Sequence, residues 1–324
     1  MIKLNFLQYN QIKLDIKDNY SLDSLVSNFE FDELCKNLLD KFNFKKLKTF
    51  SFSKSGFLSL LLELNGKIAV SLGESIALIE ACKLYENLGF EVTYLNLNED
   101  GSVDFSKVEN SNFDYIFISS YVMDTFLQTN LEDLKKLTKA KIVSNASADF
   151  SQFSDIVYFD NYKLSGYFLS SVLLFNDNSF TQEFIGFTDT LAVYTIFEAL
   201  KQQNKNLNIK NIFLEKMKIK FKDDLYFFVD NSKTLNNSFH IALKNIKARE
   251  LIRTLSFEKI FLSNGEGCSL GLSKPSRIIQ EMGYQEDISR NALSFSFNEN
   301  FTIPVIDKTI DTIHKKYKQI VSFN

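Results

Sequence analysis

Short apolar segments alternate with amphipathic segments of helical length through the middle of the chain, and this alternation constrains the fold most strongly. The strand-like runs lie at 67–71, 91–95, 115–119, 141–144, 156–159 and 171–175, and the helical patterns lie at 75–88, 131–137 and 191–201. Such alternation is typical of a largely parallel sheet with helices on both faces. The sequence therefore predicts the α/β class, with a large sheet domain at 46–204.

The remaining residues predict a second, smaller α+β domain built from 1–45 and 205–324. In its first part, helical spacing predicts a docking helix that carries Phe31, Leu34, Leu38, Leu39 and Phe42. After residue 203 we expect Lys-rich strands, a helix at 246–255, a glycine-bearing loop and a terminal helix from about Pro304.

Charge and composition exclude several classes of protein. The chain has 324 residues, with 37 Lys and Arg against 40 Asp and Glu, so its net charge is −3. No excess of positive charge attracts nucleic acid. No apolar run approaches the roughly 20 residues of a membrane span, and the first residues lack the pattern of a signal peptide. Three widely spaced cysteines without a metal-binding motif fit a reducing compartment, so we expect a cytoplasmic protein without membrane contact.

The loop at 263–276, SNGEGCSLGLSKPS, is the most unusual segment of the chain. It holds a lone cysteine, Cys268, among glycines, and an exposed thiolate there could act as a nucleophile. A turn with an incidental cysteine is the alternative. Lys163 follows the apolar run at 156–159, where an α/β sheet has its ligand crevice. By itself, such a lysine could equally be a surface charge.

The sequence also predicts the surroundings of four further residues. Cys35 and Cys82 lie on apolar helix faces and should be shielded from solvent. His240 is expected to be a strand residue, and His314 a solvated residue near a helix end.

The 263–276 loop also resembles a known family. LSNGEGCSLGLSKPSRIIQEMG is similar, nearly position for position, to the ISSGSACSSG…EPSHVL segment and following MG of the cysteine desulfurase branch of the class V aminotransferases. SDIVYFDNYKLSGYFLSSVLLF resembles the strand, Schiff-base lysine and next strand of that family. The likeness extends in the same order from about residue 49 to 313. The resemblance implies a type I pyridoxal-phosphate transferase fold: a large, mostly parallel sheet domain and a smaller α+β domain.

The resemblance also implies roles for individual residues. Lys163 falls on the lysine that binds pyridoxal phosphate, and Cys268 on the cysteine that forms a persulfide. The cofactor-binding positions fall on Asn145, on Ser75, and on Lys54 and Ser55 within the SKSGF segment that replaces the family's phosphate loop. The family's homodimer, with sites at the interface, its small amino-acid substrate and its sulfur-acceptor protein are implied as well.

Several positions depart from the family pattern. Asn145 replaces the aspartate that keeps the pyridine nitrogen protonated, and an amide cannot supply that negative charge. Ser75 replaces the histidine that stacks on the cofactor ring. The other departures are Ala148 for a glutamine, Asp160 for a serine, Tyr162 for a histidine, and Ser294 for an arginine, with Arg290 four residues earlier.

Three functions therefore stay open. The first is a cysteine desulfurase-like enzyme in which Lys163 binds pyridoxal phosphate and sulfur passes through Cys268. The second is a catalytically inactive homologue that keeps the fold as a dimeric or sulfur-carrier-docking protein. The third is a pyridoxal-phosphate enzyme with a different substrate. The retained Lys163 and Cys268 favour an enzyme, and Asn145, Ala148 and Ser294 favour an inactive homologue.

Overall fold

A computed structural model describes residues 1–8, 10–14, 29–109, 111–180, 188–204, 207–266 and 274–323. Within these residues, no helix is both long and apolar enough to cross a membrane. The α-helices there are α1 Phe29–Phe42, α2 Lys54–Leu64, α3 Ile76–Asn87, α4 Leu131–Leu137, α5 Asn161–Ser165, α6 Thr190–Gln202, α7 Ile209–Phe221, α8 Ala248–Phe257, α9 Arg277–Glu281, α10 Glu286–Ser289 and α11 Ile303–Phe323.

A seven-stranded mixed sheet forms the centre of the larger part of the molecule. Its strands are β2 Lys46–Phe50, β3 Ile68–Ser71, β4 Val92–Leu95, β5 Tyr115–Phe117, β6 Lys141–Asn145, β7 Ile156–Phe159 and β8 Ser171–Phe175. They lie in the order β2-β8-β7-β6-β5-β3-β4. The strands from β7 to β4 are parallel, and β8 is antiparallel to both β7 and β2.

Helices cover both faces of this sheet, as the alternation in the sequence predicts. Along β7, Ile156 and Tyr158 pack in one cluster with α2 and α3, whereas Val157 and Phe159 pack in another with α1 and α6. This division follows the two-residue period of a strand. The helix predicted within 1–45 is confirmed as α1, but it packs beside α6 on the large sheet and not on the smaller one.

Polar side chains fix where the sheet's helices begin. Ser53 accepts a hydrogen bond from the Gly56 N–H at the start of α2, and Asn130 accepts from the first turn of α4. Asp160 caps α5 in the same way, accepting from the Lys163 N–H. Each cap satisfies N–H groups that have no partner within the helix.

A smaller antiparallel sheet holds β9 Leu225–Tyr226, β10 Ser238–Leu243 and β12 Ala292–Ser296, with β10 in the middle. One face of β10 packs with α7, α8 and α11, and its opposite face lies towards the cluster that reaches the large sheet. His240 lies in β10, as expected. A separate two-stranded parallel pair joins β1 Ile2–Lys3 to β11 Ile260–Phe261.

Two expectations about the C-terminal part are wrong. The segment at 209–221 forms helix α7, and strands begin only with β9, because Phe213, Met217 and Phe221 follow a four-residue spacing and bury one helical face. His314 lies inside the long helix α11 rather than near its end. It is partly buried because α11 packs on α7, and the His314 and Phe221 ring centroids are 5.0 Å apart. The domain boundaries at 45 and 204 stay predictions.

Candidate functional site

The carboxyl ends of the parallel strands bring the candidate residues together. Glu74 follows β3, Asp124 lies in the loop after β5, Asn145 ends β6, and Lys163 lies on α5 just after β7. In α/β sheets this edge is where ligands bind. The fold therefore places Lys163 where the sequence predicts a site.

Lys163 is held in a buried, polar surrounding. Its side chain is 11% exposed, and its Nζ lies 3.9 Å from Asp160 Oδ2 and 3.7 Å from Met123 Sδ. Burial alone would lower the pKa of Lys163, because it penalises the charged amine. The carboxylates of Glu266, Asp160, Asp124 and Glu74 outweigh that effect and raise this pKa above its usual value. Lys163 is thus an ammonium group at neutral pH.

Burial also changes the pKa of the acidic residues near Lys163. Desolvation raises the pKa of Glu74, although Ser119 and the Tyr158 hydroxyl, 3.1 Å from Glu74 Oε2, donate hydrogen bonds to it. Desolvation likewise raises the pKa of Asp160. Lys163 and Asp160 thus form a buried ion pair.

A cavity of about 490 Å³ opens beside Lys163. Three acidic residues line it together with that lysine: Asp160, Asp189 and Glu266. At its edge Phe168 is 88% exposed and stacks on the Tyr162 ring at a centroid distance of 4.3 Å. The lining is thus aromatic and acidic.

The other predicted cofactor-binding residues do not line the cavity beside Lys163. The Asn145 side chain is fully buried, its Oδ1 accepts a hydrogen bond from the Ser147 N–H at 2.9 Å, and its Nδ2 has no hydrogen-bond partner among the described residues. Ser75 caps α3 by accepting from the Leu78 N–H. Lys54 and Ser55 are exposed on the first turn of α2.

The positions that depart from the family pattern also have structural roles. Ser294 donates a hydrogen bond to the Asp124 carbonyl oxygen at 2.7 Å, and Arg290 pairs with Glu286. Ala148 lines a separate small cavity together with Gln128. None of these three residues lines the Lys163 cavity.

Two acidic residues that the sequence analysis did not single out tie the 263–276 loop to the large sheet. Asp124 accepts hydrogen bonds from the Glu266 N–H and from the Ser276 hydroxyl, at 2.7 and 2.8 Å. Glu266 Oε2 in turn accepts from the Ile76 N–H at the start of α3, at 2.8 Å. Their acidic side chains lie far apart in sequence, so no local pattern marks them.

Cys268 lies outside the described residues. Of the other two cysteines, Cys82 is fully buried and Cys35 is partly buried.

No protein-family model matches the chain. Among curated proteins, the chain is 20% identical over 293 residues to the cysteine desulfurase IscS of Buchnera aphidicola subsp. Schizaphis graminum, covering 78% of this chain and 70% of that protein. It is 20% identical over 302 residues to the cysteine desulfurase IscS of Dictyoglomus turgidum, covering 80% and 76%.

Solved structures give the same assignment at the level of the fold. A NifS-like protein matches with a TM-score of 0.73 at 14% identity, over 89% of this chain and 87% of that chain. The NifS-like protein of Rickettsia africae matches with a TM-score of 0.70 at 16% identity, over 99% of both chains. The chain thus has the type I pyridoxal-phosphate transferase fold. Within that class it is similar to cysteine desulfurases, and the resemblance found in the sequence is confirmed.

Proposed function

We propose that this protein is a homologue of the cysteine desulfurases that accepts sulfur at Cys268 and does not use pyridoxal phosphate. The observation that carries the proposal is the lining of the Lys163 cavity, where Asp160, Asp189 and Glu266 accompany one lysine among the described residues.

The phosphate group of the cofactor does not fit the charge of the cavity. Asp160, Asp189 and Glu266 line it, and Lys163 is the one cation among its lining residues in the described part of the chain. Two like charges about 4 Å apart repel by about 4 kcal/mol near a protein surface. Lys54, the cation in the segment that replaces the phosphate loop, is exposed on α2 and does not line this cavity.

The ring and aldehyde of the cofactor do not fit either. Asn145 offers an amide where a carboxylate would keep the ring nitrogen protonated, so the ring would be a weak electron sink. A Schiff base forms from a neutral amine, and the surrounding carboxylates hold Lys163 protonated. We therefore assign Lys163 the role of structural counter-ion and derive no reaction step from the cofactor.

Cys268 can accept sulfur without that cofactor. Its thiolate would attack the outer sulfur of a persulfide on a donor protein, forming a Cys268 persulfide and releasing the donor cysteine as a thiolate. The donor would be a separate desulfurase. Glu266 and Lys274, on either side of the segment that carries Cys268, both line a cavity of about 400 Å³ beside α3. The described flanks of that segment therefore lie beside the start of α3.

The second candidate is the pyridoxal-phosphate enzyme, acting on a small amino acid, possibly cysteine. The presence of Lys163 in a cavity at the family's lysine position favours it. In that case Lys163, Asn145, Ser75, Lys54 and Ser55 would hold the cofactor. On the strength of the resemblance, a homodimer and a sulfur-acceptor protein would accompany either candidate. The three widely spaced cysteines would fit a cytoplasmic location for both.

Absorbance and sulfur transfer separate the two candidates. We expect the purified protein to stay colourless with excess pyridoxal phosphate, and borohydride to fix no adduct on Lys163. Incubation with a desulfurase loaded from cysteine should place a persulfide on Cys268, detected by mass spectrometry, and Cys268→Ser should abolish it.

Lys163→Arg is the matched control, because it keeps the positive charge among the carboxylates but cannot form a Schiff base. We expect it to accept sulfur as well as the unaltered protein does. A yellow protein with a borohydride adduct on Lys163, and persulfide formation from cysteine alone that Lys163→Arg abolishes, would establish the enzyme instead.

A further inference from the structure

The cavity beside Lys163 contains a buried cation whose hydrogen bonds are incomplete. A lysine ammonium group has three N–H donors. Among the described residues, the only hydrogen bond that the Lys163 Nζ donates goes to Met123 Sδ at 3.7 Å, and a thioether is a weak acceptor. Asp160 Oδ2 pairs with the charge but lies 3.9 Å away, beyond hydrogen-bond distance. Because Lys163 is 11% exposed and lines the cavity, an oxygen acceptor would reach its Nζ from that cavity.

The Asp189 carboxylate, also in the lining, has only neutral partners in the part of the chain that the structure describes. Its Oδ1 accepts a hydrogen bond from the Ala192 N–H at 3.0 Å, and its Oδ2 accepts one from the Ser170 N–H at 2.9 Å. Two more acidic residues line the cavity, against one basic residue among the described lining residues. The lining therefore favours a positively charged group beside Asp189 and disfavours a further anion.

Aromatic side chains supply the apolar part of the lining. Phe52, Tyr162 and Phe168 line the cavity, and the last two rings stack on each other. An aromatic ring face attracts a cation within about 6 Å of its centre and also packs against apolar groups. The cavity volume of about 490 Å³ falls within the range of small-molecule sites, roughly 300–1,000 Å³. The space therefore suits an organic cation with an apolar body.

We propose that this cavity binds a small amine that is positively charged, carries a neutral oxygen acceptor and has an apolar body, as an aromatic amino alcohol does. The ammonium group of the ligand pairs with Asp189, and its hydroxyl oxygen accepts a hydrogen bond from Lys163. Its apolar body packs against Phe168 and Tyr162. A carboxylate in place of the hydroxyl group would add a fourth acidic group to the lining, so an amino acid binds less well. The proposal goes beyond the proposed function and does not depend on Cys268.

The ligand test compares three molecules that share one carbon skeleton, by isothermal titration calorimetry with the full-length protein at pH 7.5. They are phenylalaninol, phenylalanine and 2-amino-1-phenylpropane, which lacks the oxygen atom. We expect phenylalaninol to bind about tenfold more tightly than phenylalanine, because the cavity lining repels the carboxylate. It should bind about fivefold more tightly than 2-amino-1-phenylpropane, which offers Lys163 no acceptor. Absence of phenylalaninol binding, or equal or tighter binding of either other molecule, would overturn the proposal.

Asp189→Asn tests the charge of the site. Asparagine caps a helix as aspartate does, so this change removes the negative charge and keeps the cap of α6. We expect phenylalaninol to bind this variant about tenfold more weakly. Asp104→Asn is the matched control, because Asp104 also accepts from a backbone N–H, that of Ser106, and lies outside the cavity lining. It should bind phenylalaninol as the unaltered protein does.

Phe168→Ala tests the aromatic part of the site without a risk to the fold, because Phe168 is 88% exposed. We expect phenylalaninol to bind this variant about threefold to fivefold more weakly. Phe257→Ala is its control, since Phe257 is 86% exposed and lies outside the cavity lining. If neither Asp189→Asn nor Phe168→Ala weakens binding relative to its control, the amine binds elsewhere and the proposal is overturned.

Discussion

At the residue scale, the surroundings of Lys163 were only partly predictable from the sequence. Lys163 and the departures at Asn145 and Asp160 could be located from the sequence, because they lie in a segment that resembles the family. The role of Lys163 could not, because Glu74, Asp124 and Glu266 come from three distant parts of the chain. Glu74 and Asp124 follow strands of the large sheet, whereas Glu266 comes from the loop after β11.

His240 gives a prediction at the same scale. It is fully buried on β10, both ring nitrogens lack hydrogen-bond partners among the described residues, and burial lowers its pKa to about 3. Between about pH 6.5 and pH 3, His240 is therefore protonated in the unfolded chain and neutral in the folded chain. The free energy of unfolding consequently decreases as the pH falls through this range. His240→Phe should remove this loss, a relative gain of about 2 to 3 kcal/mol at pH 4.5 compared with pH 7.5.

Urea unfolding of both proteins at the two pH values measures this gain. The free energies of unfolding of variant and unaltered protein must be subtracted at each pH. The raised pKa of Asp124 makes the stability of both proteins change with pH in the opposite direction, and the subtraction removes this contribution. His314→Phe is the control, since His314 is only partly buried. A gain from His240→Phe that does not depend on pH would contradict the prediction.

At the scale of elements, the large sheet was far more predictable than the region after it. The runs at 156–159 and 171–175 match β7 and β8 to the residue, since strands buried on both faces read as continuous apolar runs. Helix α7 was missed because lysines interrupt its apolar stripe at 210, 216, 218 and 220. Lys210 is nevertheless buried, and its Nζ donates to the carbonyl oxygens of Thr234 and Leu235.

Two substitutions on α7 test its helical form. Phe213 is fully buried near Phe239, Phe295 and Phe297, whereas Ile219 is 72% exposed. Six residues apart, they would share a face on a strand but lie on different faces of a helix. Phe213→Ala should lower the free energy of unfolding by about 3 to 5 kcal/mol, and Ile219→Ala by less than about 0.5 kcal/mol. Similar losses in urea unfolding would favour a strand.

At the scale of the whole molecule, the N-terminal segment links the two sheets. β1 pairs with β11, and the Leu4 carbonyl accepts a hydrogen bond from Ser296 on β12. A few residues later, the N–H groups of Asn10 and Ile12 donate to the carbonyl oxygens of Lys163 and Ser165. The chain's first residues therefore bridge the small sheet and the helix that carries Lys163. The sequence analysis missed this bridge, because its partners lie about 150 residues or more away.

Gly166 is where this bridge can be tested. It ends α5 with a φ of 81°, and a Cβ atom there would lie 2.6 Å from the Asn10 carbonyl oxygen. Gly89 also has a left-handed φ, of 95°, with nothing within 4 Å. Both Gly→Ala changes cost about 1 kcal/mol of backbone strain. Gly166→Ala must also displace the 10–12 segment, so we expect a total loss of about 2 to 4 kcal/mol in urea unfolding. It should also raise the rate of amide hydrogen exchange at Asn10 and Ile12, which Gly89→Ala should leave unchanged.

Equal losses of unfolding free energy in both variants, with unaltered exchange at these two amides, would mean that the N-terminal segment does not bind α5 in solution.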